Sequence, residues 1–145
     1  VAIGKGGKNI AAADALQHIY GYAVGLDMTR RDLQNDMKKQ GRPWSIGKGF
    51  AYSAPIGPIT PAAKAGDVGK AGIWLQVNGV DRQRSNVAQL IWNIAETIEH
   101  LSAAWELQPG DLIYTGTPEG VSAVVTGDVL EGGVDGLGSI RLKLV

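Results

Sequence analysis

The chain has 145 residues, enough for one domain with a real core and too few to expect two. Fourteen basic residues balance fourteen acidic ones, which argues against a general nucleic-acid or membrane-surface binder, because both need a basic excess. The absence of cysteine excludes a disulfide framework and a thiolate metal site. With no apolar run long enough to span a bilayer and no signal-peptide pattern, a cytoplasmic setting is expected.

In chain order, Val1 to Ile3 reads as the end of a strand running into a Gly/Lys turn. There is no initiator Met, so an N-terminal part is expected to be missing. "NIAAADALQHI" follows as a short helix, with Ile10, Ala13, Leu16 and Ile19 near helical spacing. Tyr20 to Leu26 alternates as a strand, and Thr29 to Lys39 reads as a helix stopped near Gly41 and Pro43. The proline-rich "FAYSAPIGPITPAA" is extended loop. "IWLQVNGVDRQ" reads as two strands joined by Asn78-Gly79, the favoured two-residue hairpin turn. "SNVAQLIWNIAETIEHLS" then gives a helix with Val87, Leu90, Ile91, Ile94, Ile98 and Leu101 on one face.

Three apolar runs close the chain, "DLIYTG", "DVLEGGV" and "LGSIRLKLV", separated by turn sequences. Glycine at 21 of 145 positions suits a fold with many tight turns. The expectation is one mostly β domain with a few helices, an α+β chain whose sheet is rolled or sandwiched rather than wound through βαβ units.

The densest chemistry lies in "YGYAVGLDMTRRDLQ", where Asp27, Arg30, Arg31 and Asp32 fall within six residues after an uncharged strand. One strand face, Gly21, Ala23 and Gly25, is stripped of side chains and ends at Asp27. Thr29 is a candidate N-cap, with Asp32 in the capping-box position. A helix starting there puts Arg31, Gln34 and Lys38 on one face. Two readings stand side by side: acids capping a helix with solvated arginines, or an anion, a guanidinium and an amide converging on a site. Lys48, between Gly47 and Gly49 in "WSIGKGF", either snorkels outward or points into that site. "TGTPEGV" reads by itself as an ordinary turn.

Other motifs fail. "GKGGK" and "GRPWSIGKG" lack the spacing and hydroxyl of a phosphate loop. Glu96 and His100 stand four apart on one helix but match no zinc-helix pattern and read as a solvated face. His18 reads as a structural residue, and no Ser-His-Asp order or nucleophile elbow occurs.

Taken in order, "GYAVGLDMTRRDLQ", "WSIGKGFAYSAPIGP", "LQVNGVDRQ", "LIYTGTPEGV" and "GDVLEGGVDGLGSIRLKLV" resemble the fumarylacetoacetate hydrolase family. The resemblance is strongest to its acylpyruvate branch, which includes fumarylpyruvate hydrolases. It implies a rolled mixed β-sandwich, usually a homodimer, with one Mg²⁺ or Mn²⁺ held by three carboxylates. Asp27 matches the last of these. The other two belong to a Glu-x-Glu strand that in the family precedes "VAIGKG", as does a lid with a water-activating His and Glu. Residues 1–145 are therefore expected to be a single catalytic domain lacking its N-terminal segment.

By the same resemblance, Arg31, Gln34 and Lys48 match substrate-contacting and oxyanion-stabilising positions, and Thr117 matches a contact to a substrate carboxylate. The implied substrate is a small 2,4-dioxo acid, best matched to fumarylpyruvate, which water cleaves to release pyruvate; neither nucleic acid nor membrane is a partner. A metal would take up the enolate charge while Lys48, Gln34 and Arg31 stabilise oxyanions. Oxaloacetate decarboxylation and 2-hydroxyhepta-2,4-diene-1,7-dioate isomerisation share this chemistry and stay open as alternatives. A chain with one of three metal carboxylates also reads as a non-catalytic fragment.

Overall fold

The structure, a computed structural model, describes residues 1–145, which divide into two units: Val1–Val24 with Gly57–Val145, and Gly25–Ile56. In chain order the elements are β1 (Ala2–Ile3), β2 (Ile19–Tyr22), α1 (Arg31–Lys39), α2 (Ser45–Lys48), β3 (Thr60–Pro61), β4 (Gly72–Val77), β5 (Val80–Asn86), α3 (Ile94–Ala104), β6 (Val129–Val134) and β7 (Gly138–Lys143). Short 3-10 turns punctuate them. The expected α+β class holds: two sheets and three α-helices, with every ladder antiparallel.

The larger unit carries both sheets, ordered β1-β2-β3 and β5-β4-β6-β7. Asn78 and Gly79 have φ of 53° and 77°, the left-handed pair that a two-residue hairpin turn needs to follow the strands' twist. Asn78 also reaches the next strand: its Nδ2 donates to Asp128 Oδ1 at 2.7 Å, and its Oδ1 accepts from Val129 N–H at 2.9 Å. The turn thus sets the β4–β5 register and holds the start of β6. Val24, Ala71 and Val134 form the core against this sheet, flanked by Ile73, Val87, Leu137 and Ile140.

A second core joins the small sheet to α3 through Ile3, Ile10, Ala15, Ile19, Ile98 and Leu107. Ile3 and Ile98 are essentially fully buried, each contributing on the order of 1.5–3 kcal/mol through area removed from water. Asn93 caps α3 in a complete capping box: its side chain accepts from Glu96 N–H, and Glu96 Oε2 accepts from Asn93 N–H at 2.8 Å.

Several sequence expectations change. The helix expected over Asn9 to Ile19 is a turn followed by a 3-10 segment at Ala15–His18. Its start is tied to α3, where Asn9 N–H bonds Ser102 O, Ile10 N–H bonds Ser102 Oγ and Ala12 N–H bonds Glu99 Oε1, and its own bonds then span three residues rather than four, Asp14 N–H to Ala11 O and Ala15 N–H to Ala12 O. The strand from Tyr20 ends at Tyr22, and Gly21 is buried where it pairs Pro61 rather than lining an open strip.

The helix expected from Ser85 begins only at Ile94, because β5 runs through Asn86 and a 3-10 turn occupies Val87–Gln89; Ile91, expected on its buried face, is 97% exposed. "DLIYTG" forms no strand of its own and is tied to β1 by one bridge, Ala2 to Leu112, flanked by Ile3 N–H to Asp111 O and by the Val1–Ile113 pair. No helix is long and apolar enough to cross a membrane.

Candidate functional site

The smaller unit explains the crowding of charge after the uncharged strand. Leu26 N–H and Met28 N–H donate to Pro55 O and Ser53 O at 3.0 and 2.8 Å, so the segment around Asp27 is pinned in extended form on both sides of the acid. The chain then turns into α1, starting at Arg31. Thr29 does not cap this helix, and no side chain caps it: the flanking residue is Arg30, whose N–H donates instead to Gly47 O at 3.0 Å. Asp32 sits in the first turn, where an acid suits the helix dipole, and is exposed.

That bond between Arg30 and Gly47 brings the α2 turn against the first turn of α1. Gly47 is buried, and a β-carbon there would lie 3.0 Å from Gln34 N and 3.1 Å from Gln34 Cβ. Only a residue without a side chain lets the two turns meet at this distance without displacement. The next residue is Lys48, and its direction follows. Nζ donates to Asp27 Oδ2 at 2.7 Å and to Thr29 Oγ1 at 2.9 Å, while Thr29 Oγ1 donates to Asp27 O at 3.3 Å. Lys48 therefore points into the cluster and does not snorkel. Two of its three N–H donors are engaged, which leaves one for a ligand.

Arg31 and Gln34 meet one helical turn apart, Arg31 NH1 donating to Gln34 Oε1 at 2.7 Å. Gln34 is 7% exposed, more buried than the apolar Leu33 and Met37 of the same helix, which are half-buried. The bond fixes the Gln34 amide, with its NH₂ end away from the arginine. Arg30 instead lies over the Phe50 ring, 4.4 Å from its centroid.

The Lys48 and Asp27 side chains are 35% and 51% exposed, so their ion pair contributes at most about 1 kcal/mol to stability. A buried glycine, a buried amide and an aimed lysine are more structure than that small stabilisation requires. Chemically the cluster offers an oxygen ligand, an ammonium, a guanidinium and an amide donor. No three carboxylate or imidazole side chains of the chain gather into a metal cage. A hard cation that keeps waters and takes up oxygens of its substrate is held through as few as one or two carboxylates, so Asp27 fits as one ligand.

Thr117 belongs to the larger unit. It lies in the loop between α3 and β6, where its hydroxyl receives a hydrogen bond from Gln83 Nε2 at 2.8 Å, and it lines a cleft of about 90 Å³ with Ser85, Asn86 and Thr115. Glu96, expected on a solvated face, is half-buried and committed to its capping box, and the exposed His100 ring stacks on Trp92 with centroids 4.0 Å apart. Sequence reasoning missed three residues of this architecture. Thr29 was assigned to a cap, Gly47 was noticed only as a neighbour of Lys48, and Gln83 had no assignment.

The fumarylacetoacetate hydrolase C-terminal family profile matches residues 1–145. A fumarylpyruvate hydrolase from a Ralstonia species is 51% identical over 99% of this chain and 74% of its own length. A mitochondrial oxaloacetate tautomerase, FAHD1 of Rattus norvegicus, is 41% identical over 99% of this chain and 65% of its own length. Among solved structures, the fumarylpyruvate hydrolase of Pseudomonas aeruginosa in complex with Mn²⁺ and pyruvate superimposes with a TM-score of 0.97 at 58% identity, covering 99% of this chain and 62% of that one. The chain thus spans about three quarters of the Ralstonia protein and just under two thirds of the other two.

Proposed function

This chain belongs to the fumarylacetoacetate hydrolase family, and on that premise we propose that it carries catalytic residues of a metal-dependent hydrolase that cleaves a 2,4-dioxo acid, best matched to fumarylpyruvate, and releases pyruvate. The observation behind it is the convergence of Lys48 on Asp27 and Thr29 beside the Arg31–Gln34 pair. Similarity to proteins named for fumarylpyruvate, one of them solved with Mn²⁺ and pyruvate, supports the choice of substrate and of a divalent metal.

In the reaction, water adds to the carbonyl carbon of the acyl group, the bond from that carbon to the pyruvyl methylene breaks, and the electron pair passes to pyruvate as its enolate. Protonation of the methylene carbon then gives pyruvate, and the acyl group leaves as a carboxylic acid. Negative charge develops first on the attacked carbonyl oxygen and then on the enolate oxygen. The remaining Lys48 N–H, the Arg31 guanidinium and the Gln34 NH₂ are donors suited to those oxygens, and being held in advance they need no reorganisation when charge appears. The Thr117 hydroxyl is assigned to a substrate carboxylate. A bound Mg²⁺ or Mn²⁺, with Asp27 among its ligands, supplies further positive charge. Homodimeric assembly and a cytoplasmic location belong to the same proposal.

A second reading has its own support, since relatives about 40% identical are named for oxaloacetate tautomerisation, a keto–enol shift needing only proton transfer between carbon and oxygen. It replaces decarboxylation as the leading alternative. Side-by-side assays on fumarylpyruvate and oxaloacetate with Mg²⁺ or Mn²⁺ separate them. The proposal expects the larger kcat/KM on fumarylpyruvate, with pyruvate released; faster tautomerisation of oxaloacetate overturns it.

A further inference from the structure

Gln83 stands within β5, 7% exposed, and its amide nitrogen bonds two atoms of the Thr117 loop: Thr117 Oγ1 at 2.8 Å and Pro118 O at 2.6 Å. A carbonyl oxygen only accepts, so the bond to Pro118 determines that the NH₂ end of Gln83 faces the loop. One of its hydrogens goes to Pro118 and the other to Thr117. The Thr117 hydroxyl is therefore an acceptor toward Gln83, and its own hydrogen remains for another partner. The loop is seated on the same strand a few residues later: Gly120, at φ 97°, lies so close to the Arg82 carbonyl that a β-carbon would collide with it. Thr117 lines the cleft of about 90 Å³, where apolar Ile73, Val87 and Leu90 surround a few hydroxyls and amides and no charged side chain.

We propose that Gln83 is a positioning residue that sets the polarity of the Thr117 hydroxyl, so that it donates into the cleft and selects a ligand group that accepts there, a carboxylate or carbonyl oxygen. This deepens the reading of Thr117 as a contact to the substrate carboxylate, and rests on it. A lone threonine hydroxyl rotates and presents hydrogen or lone pair with equal ease; Gln83 removes that freedom. A glutamate of the same length reverses the arrangement, since its carboxylate accepts the Thr117 hydrogen and turns lone pairs toward the cleft.

The test compares Gln83→Glu, Gln83→Met and Thr117→Val, singly and combined, with fumarylpyruvate as substrate. Gln83→Glu is expected to raise KM about tenfold or more with kcat within threefold of wild type, and Gln83→Met to raise it less. In the Thr117→Val background either Gln83 change is expected to add little, because the hydroxyl it orients is gone. An unchanged KM, or the same rise in both backgrounds, overturns the proposal, the latter showing a merely structural role. If Gln83→Glu does not fold by circular dichroism, the Gln83→Met cycle decides by the same criterion.

Should the wild type turn over neither fumarylpyruvate nor oxaloacetate, the proposed function fails. The positioning role is then judged by pyruvate binding in saturation-transfer NMR. Binding weakened tenfold in Gln83→Glu supports it; equal binding, or none by wild type, overturns it.

Discussion

Replacing Lys48 by Met separates the stabilising role of this lysine from its chemical one. The methionine keeps most of the aliphatic stem and removes the ammonium, with its 2.7 Å contact to Asp27 and its 2.9 Å contact to Thr29. Both charged partners are more than a third exposed, so solvent screens the pair and the expected loss of stability is about 1 kcal/mol or less. For a chain of this size that lowers Tm by a few degrees. Loss of a preorganised oxyanion donor costs far more in rate, roughly 10²- to 10³-fold in kcat. Steady-state release of pyruvate from fumarylpyruvate, measured beside a thermal melt, gives both quantities from one preparation. A kcat within threefold of wild type would refute the assignment. So would a rate loss matched by a collapse in Tm, because the lysine would then be structural.

Gly47→Ala tests how Lys48 is aimed. The added methyl meets Gln34 at 3.0–3.1 Å, so the α2 turn must shift by a few tenths of an ångström; the expected outcome is an overpacking cost of about 1 kcal/mol and a kcat lowered several-fold, read by melt and kinetics. Ser102→Ala leaves the Ile10 N–H buried without its 2.9 Å partner and is expected to cost about 1–3 kcal/mol in a denaturant titration. Asp128 accepts from Val125 N–H and Asn78 Nδ2, which hold its carboxyl below the usual carboxylate range. Its contribution is therefore complete above the ordinary carboxylate value and lost as pH falls through the lowered folded value. The Tm gap between wild type and Asp128→Asn should be constant near neutral pH and close below about pH 4.

What was legible in the sequence was local. Asn78-Gly79 announces its hairpin because both residues tolerate left-handed backbone. Arg31 and Gln34 could be paired on paper because three residues along a helix bring side chains together. The α3 start was also written in the chain, as Asn93 followed by Glu96, but the apolar run from Val87 suggested a longer helix.

What stayed hidden depends on tertiary contact. The alanine-rich segment after Asn9 has strong helix propensity, yet once its start is held against α3 by Ser102 and Glu99 it closes in three-residue turns instead of an α-helix. The partner of Asp27 lies twenty-one residues away, delivered by a glycine whose role shows only when two turns are in contact. Gln83 carries no sequence signal at all, since its polarity matters only through the loop folded against it.

The claim that most needs testing is that Asp27 gives an oxygen to a divalent cation while Lys48 holds the carboxylate from its other side. Anomalous scattering from crystals of the protein grown with Mn²⁺ and pyruvate addresses it directly. The expected result is a peak about 2 Å from an Asp27 carboxylate oxygen, with Lys48 still in contact, and its loss in Asp27→Asn. A peak elsewhere, with the Asp27–Lys48 pair untouched, would contradict the account.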